Sequence, residues 1–144
     1  MSTDKEVVDS PTGWVAKHIR EYVESDGAKG HIWRGVPTLL LITRGRKTGT
    51  LRRSALIYGR SDESFVVVAS IGGAPKHPQW YLNLRADPAV ELQVGPDIIN
   101  GRARTAEGDE KARLWAEMAR IFPQYDQYQK KTDRQIPVVV IDPA

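Results

Sequence analysis

Cysteine is absent from this 144-residue chain. That single absence excludes disulfides, thiol nucleophiles, zinc–thiolate centres and iron–sulfur clusters together, and it fits a reducing compartment such as the cytoplasm. Histidine is sparse: His18, His31 and His77 stand apart with no metal-ligand spacing, so each reads first as a structural or exposed side chain. No apolar run approaches the roughly 18 to 20 residues of a membrane span. The opening MSTDKEVVDSPTGW is polar and acidic where a secretory leader is basic and then apolar. A soluble protein without a transmembrane segment is expected.

Several catalytic signatures are missing too. There is no G-x-S-x-G elbow, and the GRKTG stretch has the wrong order for a Walker loop. No G-x-G-x-x-G opens a crossover helix, so a nicotinamide Rossmann site has no support. With no protein-borne nucleophile and no metal cluster, an enzymatic role would rest on a bound cofactor.

What is present suits one compact domain. Apolar residues make up 40% and charged residues 27%, enough for an ordinary core without wholesale disorder. We expect a loose arm over 1–12 and a single domain over 13–144. The net charge of +3 is modest but unevenly spread, because RGRKTGTLRR (Arg44 to Arg53) holds five basic residues and no acidic one. Such a cluster favours an anionic partner: nucleic acid, lipid or a phosphorylated small molecule.

Periodicity gives the elements. Apolar residues at helical spacing predict a helix from Gly13, ended by Ser25 to Gly27. PTLLLIT, LRRSALIYGR and FVVVAS read as successive strands, joined by a tight turn over Gly45 to Gly49 and by SDES. Pro78 opens a short helix to about Ala86. VELQV alternates cleanly and pairs through GPD with IINGRART. A second main helix spans Gly108 to Phe122 and stops at Pro123. An aromatic, polar linker then leads to a final strand, IPVVVID. Six strands on short turns must be largely antiparallel, and three of them are apolar on both faces. The expected architecture is a small α+β barrel with helices packed outside.

Three places carry candidate chemistry. In GRKTG, two glycines let the backbone bend and present N–H groups to an anion. Arg46 can fork onto phosphate, Lys47 adds a mobile charge and Thr48 donates from its hydroxyl, with Arg52 in reach on the next strand. The plain alternative is a solvated basic hairpin. On the helix after Pro78, Gln79 and Asn83 share one face and Trp80 and Leu84 the adjacent one. The apolar pair reads as core, and the amide pair could meet the polar edge of a planar ring. Tyr125 and Tyr128 lie outside any amphipathic stripe, as surface residues or as the lid of an aromatic pocket. Nucleic acid is disfavoured, because it would want a wider basic stripe and aromatics on a sheet face.

From WRGVPTLLLITRGRKTG through VVASIGGAPKHPQWYLNLRADPAVELQV to FPQYDQYQKKTDRQIPVVVI, the chain resembles the deazaflavin-dependent nitroreductase family. The resemblance covers most of the chain from Trp33 onward. It implies a six-stranded antiparallel split β-barrel with flanking helices and a deazaflavin coenzyme, F420, that carries a phosphate and an oligoglutamate tail. By resemblance, Arg46, Lys47, Thr48 and Gly49 hold the phosphate and tail. Val68, Ala69, Ser70 and Ile71 lie against the ring, and Gln79, Trp80 and Asn83 meet the ring and its ribityl chain. Tyr125 covers the ring or substrate beside Tyr128. Ile71 stands where some relatives carry lysine, and Phe122 where some carry tyrosine.

The implied activity is reduction of electron-poor acceptors (nitroaromatics, quinones, conjugated enones) by hydride from the reduced coenzyme. Tyr125 or Tyr128, or water, then supplies the proton. An FMN-binding oxidase on the same barrel and a non-catalytic coenzyme carrier are the alternatives.

Overall fold

The computed structural model describes residues 7–9, 13–25, 32–33, 36–70 and 76–144. Strand β1 is Val7–Asp9, β2 Ile32–Trp33, β3 Val36–Arg44, β4 Leu51–Ile57, β5 Gly59–Ser61, β6 Ser64–Val68, β7 Ala89–Val94, β8 Asp97–Thr105 and β9 Val138–Pro143. Helix α1 is Gly13–Glu24, α2 Gln79–Ala86, α3 Gly108–Ile121 and α4 Gln124–Lys130.

The strands form one sheet in the order β1-β4-β3-β7-β8-β9-β6-β5, with β2 attached to β3. Every pairing is antiparallel except β1 with β4, which is parallel. The sheet curls strongly for a simple reason. Strands β4 and β5, near its two ends, are consecutive pieces of chain with only Tyr58 between them. At that break the Tyr58 N–H turns to the carbonyl of Pro37 at 3.2 Å, and β5 pairs with β6 instead of β3.

Side-chain alternation along the curled strands builds two faces. Leu39, Leu41, Phe65, Val67, Ala69, Leu92, Val139 and Ile141 fill the inside, joined by Trp80, Tyr81 and Leu84 of α2. On the outer face, Val66, Val68, Val138 and Val140 pack under Leu114 and Met118 of α3 and Tyr125 of α4. Gly59 permits that close approach, because a Cβ there would meet Met118 Sδ at 2.7 Å. Helix α1 covers another outer patch, packing Ile19 and Tyr22 on Leu40. The Tyr22 hydroxyl lies 3.2 Å from the carbonyls of both Thr38 and Gln93 and accepts the Gly95 N–H at 2.6 Å.

Several expectations are corrected. The sheet has nine strand segments rather than six. Val7–Asp9, assigned to a loose arm, is a strand on the edge of β4; residues 1–6 and 10–12 lie outside the described ones. The aromatic linker after Pro123 is a helix, α4, hidden from periodicity because seven residues are too few to display a stripe. Among the described residues no helix is long and apolar enough to cross a membrane.

Candidate functional site

The basic turn between β3 and β4 is built by its glycines. Gly45 N–H bonds the Thr50 carbonyl at 2.7 Å, and Gly49, at φ +74°, turns its N–H back to the Gly45 carbonyl at 2.8 Å. That left-handed conformation suits glycine, which has no Cβ to clash. Thr48 Oγ1 accepts the Thr50 N–H at 3.3 Å, which leaves its hydroxyl hydrogen free to donate outward. The amides of Lys47 and Thr48, and the side chains of Lys47 and Arg52, engage no described residue. Arg52 pairs in register with Thr43, and cross-strand partners share a face. Both therefore sit on the inner side of the sheet at its turn end.

Arg46 plays a different part from its neighbours. Its main-chain N–H and its Nη1 both donate to Asn83 Oδ1, at 3.2 and 2.9 Å, and Asn83 Nδ2 lies 3.5 Å from Thr43 Oγ1. Asn83 is 4% exposed. Its amide is thus committed to fastening the turn to α2. Gln79, one helical turn earlier, is exposed, and Trp80 is buried edge-on to Tyr81 with ring centroids 6.3 Å apart.

The end of β6 divides between the two faces. Val68 turns outward into the α3–α4 cluster, whereas Ala69 faces the interior. Ser70 is buried and Ile71 lies outside the described residues. This strand end is held by a residue that sequence reasoning missed. Arg134 donates to the carbonyls of Ala69 at 3.2 Å and Ser70 at 2.7 Å, and Nη1 also meets His77 Nδ1 at 3.1 Å. A guanidinium has no acceptor, so Nδ1 must accept and the ring proton of His77 sits on Nε2. Burial, then the charges of Arg134 and Arg85, pull the His77 pKa below its ordinary value. No spacing signal marked either residue: Arg134 sits in a polar run that reads as plain surface.

On α4, Tyr125 is 4% exposed among Phe122, Trp115 and Tyr128, with ring centroids 5.1, 6.3 and 6.3 Å away. Burial pushes its phenol well above the ordinary range, with Tyr128 adding to the rise. The group therefore stays protonated at neutral pH. Its hydroxyl meets no described hydrogen-bonding partner. Tyr128 is half-buried, and its hydroxyl lies 3.4 Å from Gln124 Oε1. Tyr125 and Trp80 stand on opposite faces of the sheet, one in the outer cluster and one in the inner.

A curled α+β sheet with a basic turn at one end and no nucleophile among its described site residues suits a reductase that borrows its chemistry from a bound coenzyme. The chain belongs to the F420H(2)-dependent quinone reductase family, whose match spans residues 14–143. It is 40% identical over 128 residues to the F420H(2)-dependent quinone reductase of Mycobacterium tuberculosis strain H37Rv, covering 86% of each chain. A solved F420-H2 dependent reductase superposes with a TM-score of 0.70 at 38% identity, covering 78% of this chain and 98% of that one. A solved domain-swapped dimer superposes with a TM-score of 0.72 at 37% identity, covering 92% of this chain and all of that one. The protein is accordingly an F420-dependent oxidoreductase, with F420 as its coenzyme.

Proposed function

We propose that the chain reduces quinones with F420, bound between the Gly45–Thr50 turn and the end of β6. The observation that carries this reading is the turn itself. Two unengaged amides, the Lys47 ammonium, the Thr48 hydroxyl and Arg52 converge there with no described carboxylate paired to them, a donor set that fits a phosphate with an acidic tail. Arg46 fastens this anion cradle to α2 through Asn83. In this placement the flat ring rests at the end of β6, over the buried Ala69, Ser70 and Trp80, with Gln79 at its exposed rim.

When bound, the reduced coenzyme supplies the hydride. The chain's own residues bind, orient and exclude water. The Tyr125 or Tyr128 hydroxyl holds the acceptor's oxygen and donates the proton that balances its reduction. Quinones lead the acceptor list because the family and a 40% identical relative carry that name. Nitroaromatics and conjugated enones share the same electron-poor character.

We further read β4 and β5 as one bent strand and the short β1 and β2 as additions to its margin, which leaves β3, β4–β5, β6, β7, β8 and β9 as a six-stranded split barrel. Residues 13–144 form its single domain, to whose sheet Val7–Asp9 adds at the edge of β4. The test is a fluorescence titration with F420, with FMN as the comparison, followed by anaerobic turnover of reduced F420 on a quinone, a nitroaromatic and an enone. Tight binding of F420 and faster turnover on the quinone support the reading. Preference for FMN, or binding without turnover on any acceptor, overturns it.

A further inference from the structure

Among the described residues, Arg134 touches both the end of β6 and the approach to α2 while belonging to neither. It donates to Ala69 O and Ser70 O and meets His77 Nδ1, at 3.2, 2.7 and 3.1 Å. The segment that carries it is itself fastened to α4. Gln129 Nε2 donates to the carbonyls of Arg134 at 2.8 Å and Thr132 at 3.4 Å, and Gln129 Oε1 accepts the Ile136 N–H at 3.0 Å. One guanidinium therefore links the three elements that meet at the strand end. Only a planar fork with five donors can satisfy acceptors in these directions, and a lysine ammonium at the same place would reach fewer of them.

We infer that Arg134 is a positioning residue of the coenzyme site, fixing the strand end at Ala69 and Ser70 against α2 through an acceptor supplied by His77. The inference rests on the proposed placement of the F420 ring beside Ala69 and Ser70. It adds a distinct dependence on acid. Among the described residues, the groups facing the His77 ring are Arg134 from the segment before β9, and Tyr81 and Arg85 from α2, none of them a carboxylate. A proton on Nδ1 removes the acceptor and sets two cations against each other, so the clamp loosens as His77 becomes charged. Because the folded-state value is lowered, the ring is still neutral at the ordinary histidine value of about 6.5; the clamp is intact there and above, and gives way only as pH falls through the lower folded-state value.

The variants are Arg134→Lys, Arg134→Gln and His77→Gln, the last offering Oε1 as an acceptor that does not titrate. Two readouts apply: F420 affinity from pH 5 to 8, and amide hydrogen exchange of the protein without coenzyme. Both Arg134 variants should weaken F420 binding about tenfold or more at pH 7.5, and speed exchange at Ala69, Ser70 and the first turn of α2. Wild type should lose affinity toward pH 5, and His77→Gln should bind with a flat profile over the same range. Wild-type affinity and exchange in both Arg134 variants would overturn the inference, as would an acid limb that survives in His77→Gln. If Arg134→Gln fails to fold, Arg134→Lys and the His77→Gln profile decide. A wild-type protein that binds no F420 would overturn the site placement itself, and this inference with it.

Discussion

Arg46 meets Asn83 Oδ1 twice, through its main-chain N–H at 3.2 Å and through Nη1 at 2.9 Å, across 37 residues of sequence. The pairing explains how an exposed turn can be a precise anion site. A β-turn between edge residues is mobile by default, but this one is tied to a helix whose other face is packed in the core. Asn83→Ala should therefore have two effects. It leaves a buried Thr43 hydroxyl and the Arg46 amide without their partner, at about 1–3 kcal/mol of stability. It also releases the turn, so F420 affinity should fall further than the stability loss accounts for. Denaturant unfolding and a fluorescence titration on the same samples check this; affinity at the wild-type level would show that the tie does not serve binding.

Lys47 and Arg52 give the complementary case. Both are exposed and engage no described residue, so Lys47→Ala with Arg52→Ala should leave stability within about 0.5 kcal/mol of wild type. F420 binding should nevertheless weaken strongly, by roughly 1.5–3 kcal/mol for each charge-assisted hydrogen bond removed. The deficit should shrink as salt rises, since screening already weakens the native attraction. Unchanged affinity at low salt would remove the turn from the coenzyme site.

How much of this is readable in the chain follows from the range of each interaction. The strands from Pro37 to Ile141 and helices α1, α2 and α3 are legible because their apolar period is local. Helix α4 is not, since a single burial-determining residue, Tyr125, cannot make a pattern. The basic turn is visible as composition. Its division of labour is not: Arg46 and Lys47 are neighbours in sequence, yet the first is held by Asn83 and the second faces solvent. Arg134 and His77 escape notice for the same reason. Their pairing joins positions 57 apart, and in the sequence His77 invites only the test of metal-ligand spacing.

The buried tyrosines predict the alkaline behaviour of the fold. Burial raises the phenols of Tyr22, Tyr58 and Tyr125. Each stays protonated in the folded state at a pH where the unfolded chain has already lost that proton. The stability they contribute is complete below about pH 10, the ordinary tyrosine value, and falls as pH rises beyond it. Tyr22→Phe should flatten part of that decline. Near neutral pH the same change strands the buried Gly95 N–H, which Tyr22 Oη accepts at 2.6 Å, and should cost about 1–3 kcal/mol. Unfolding curves at pH 7.5 and 10.5 test both signs. A variant as stable as wild type at pH 7.5 would show that the Gly95 N–H finds another acceptor.

Tyr125 separates packing from chemistry. Its ring is 4% exposed inside the α3–α4 cluster, so Tyr125→Ala opens a cavity and should cost about 3–5 kcal/mol, the range for deleting a large buried aromatic. It should also weaken F420 binding by loosening α4. Tyr125→Phe keeps the ring and removes only a hydroxyl that meets no described partner, so stability and F420 affinity should stay close to wild type. If that hydroxyl donates the proton to the reduced acceptor, turnover on a quinone should drop by about 100-fold or more. Because the phenol is raised by burial, its loss of a proton should impose no alkaline limb on wild-type turnover below about pH 10. Turnover by Tyr125→Phe equal to wild type would reduce Tyr125 to packing. The donor would then be Tyr128 or water, and Tyr128→Phe on the same quinone separates them: a loss assigns Tyr128, wild-type turnover assigns water.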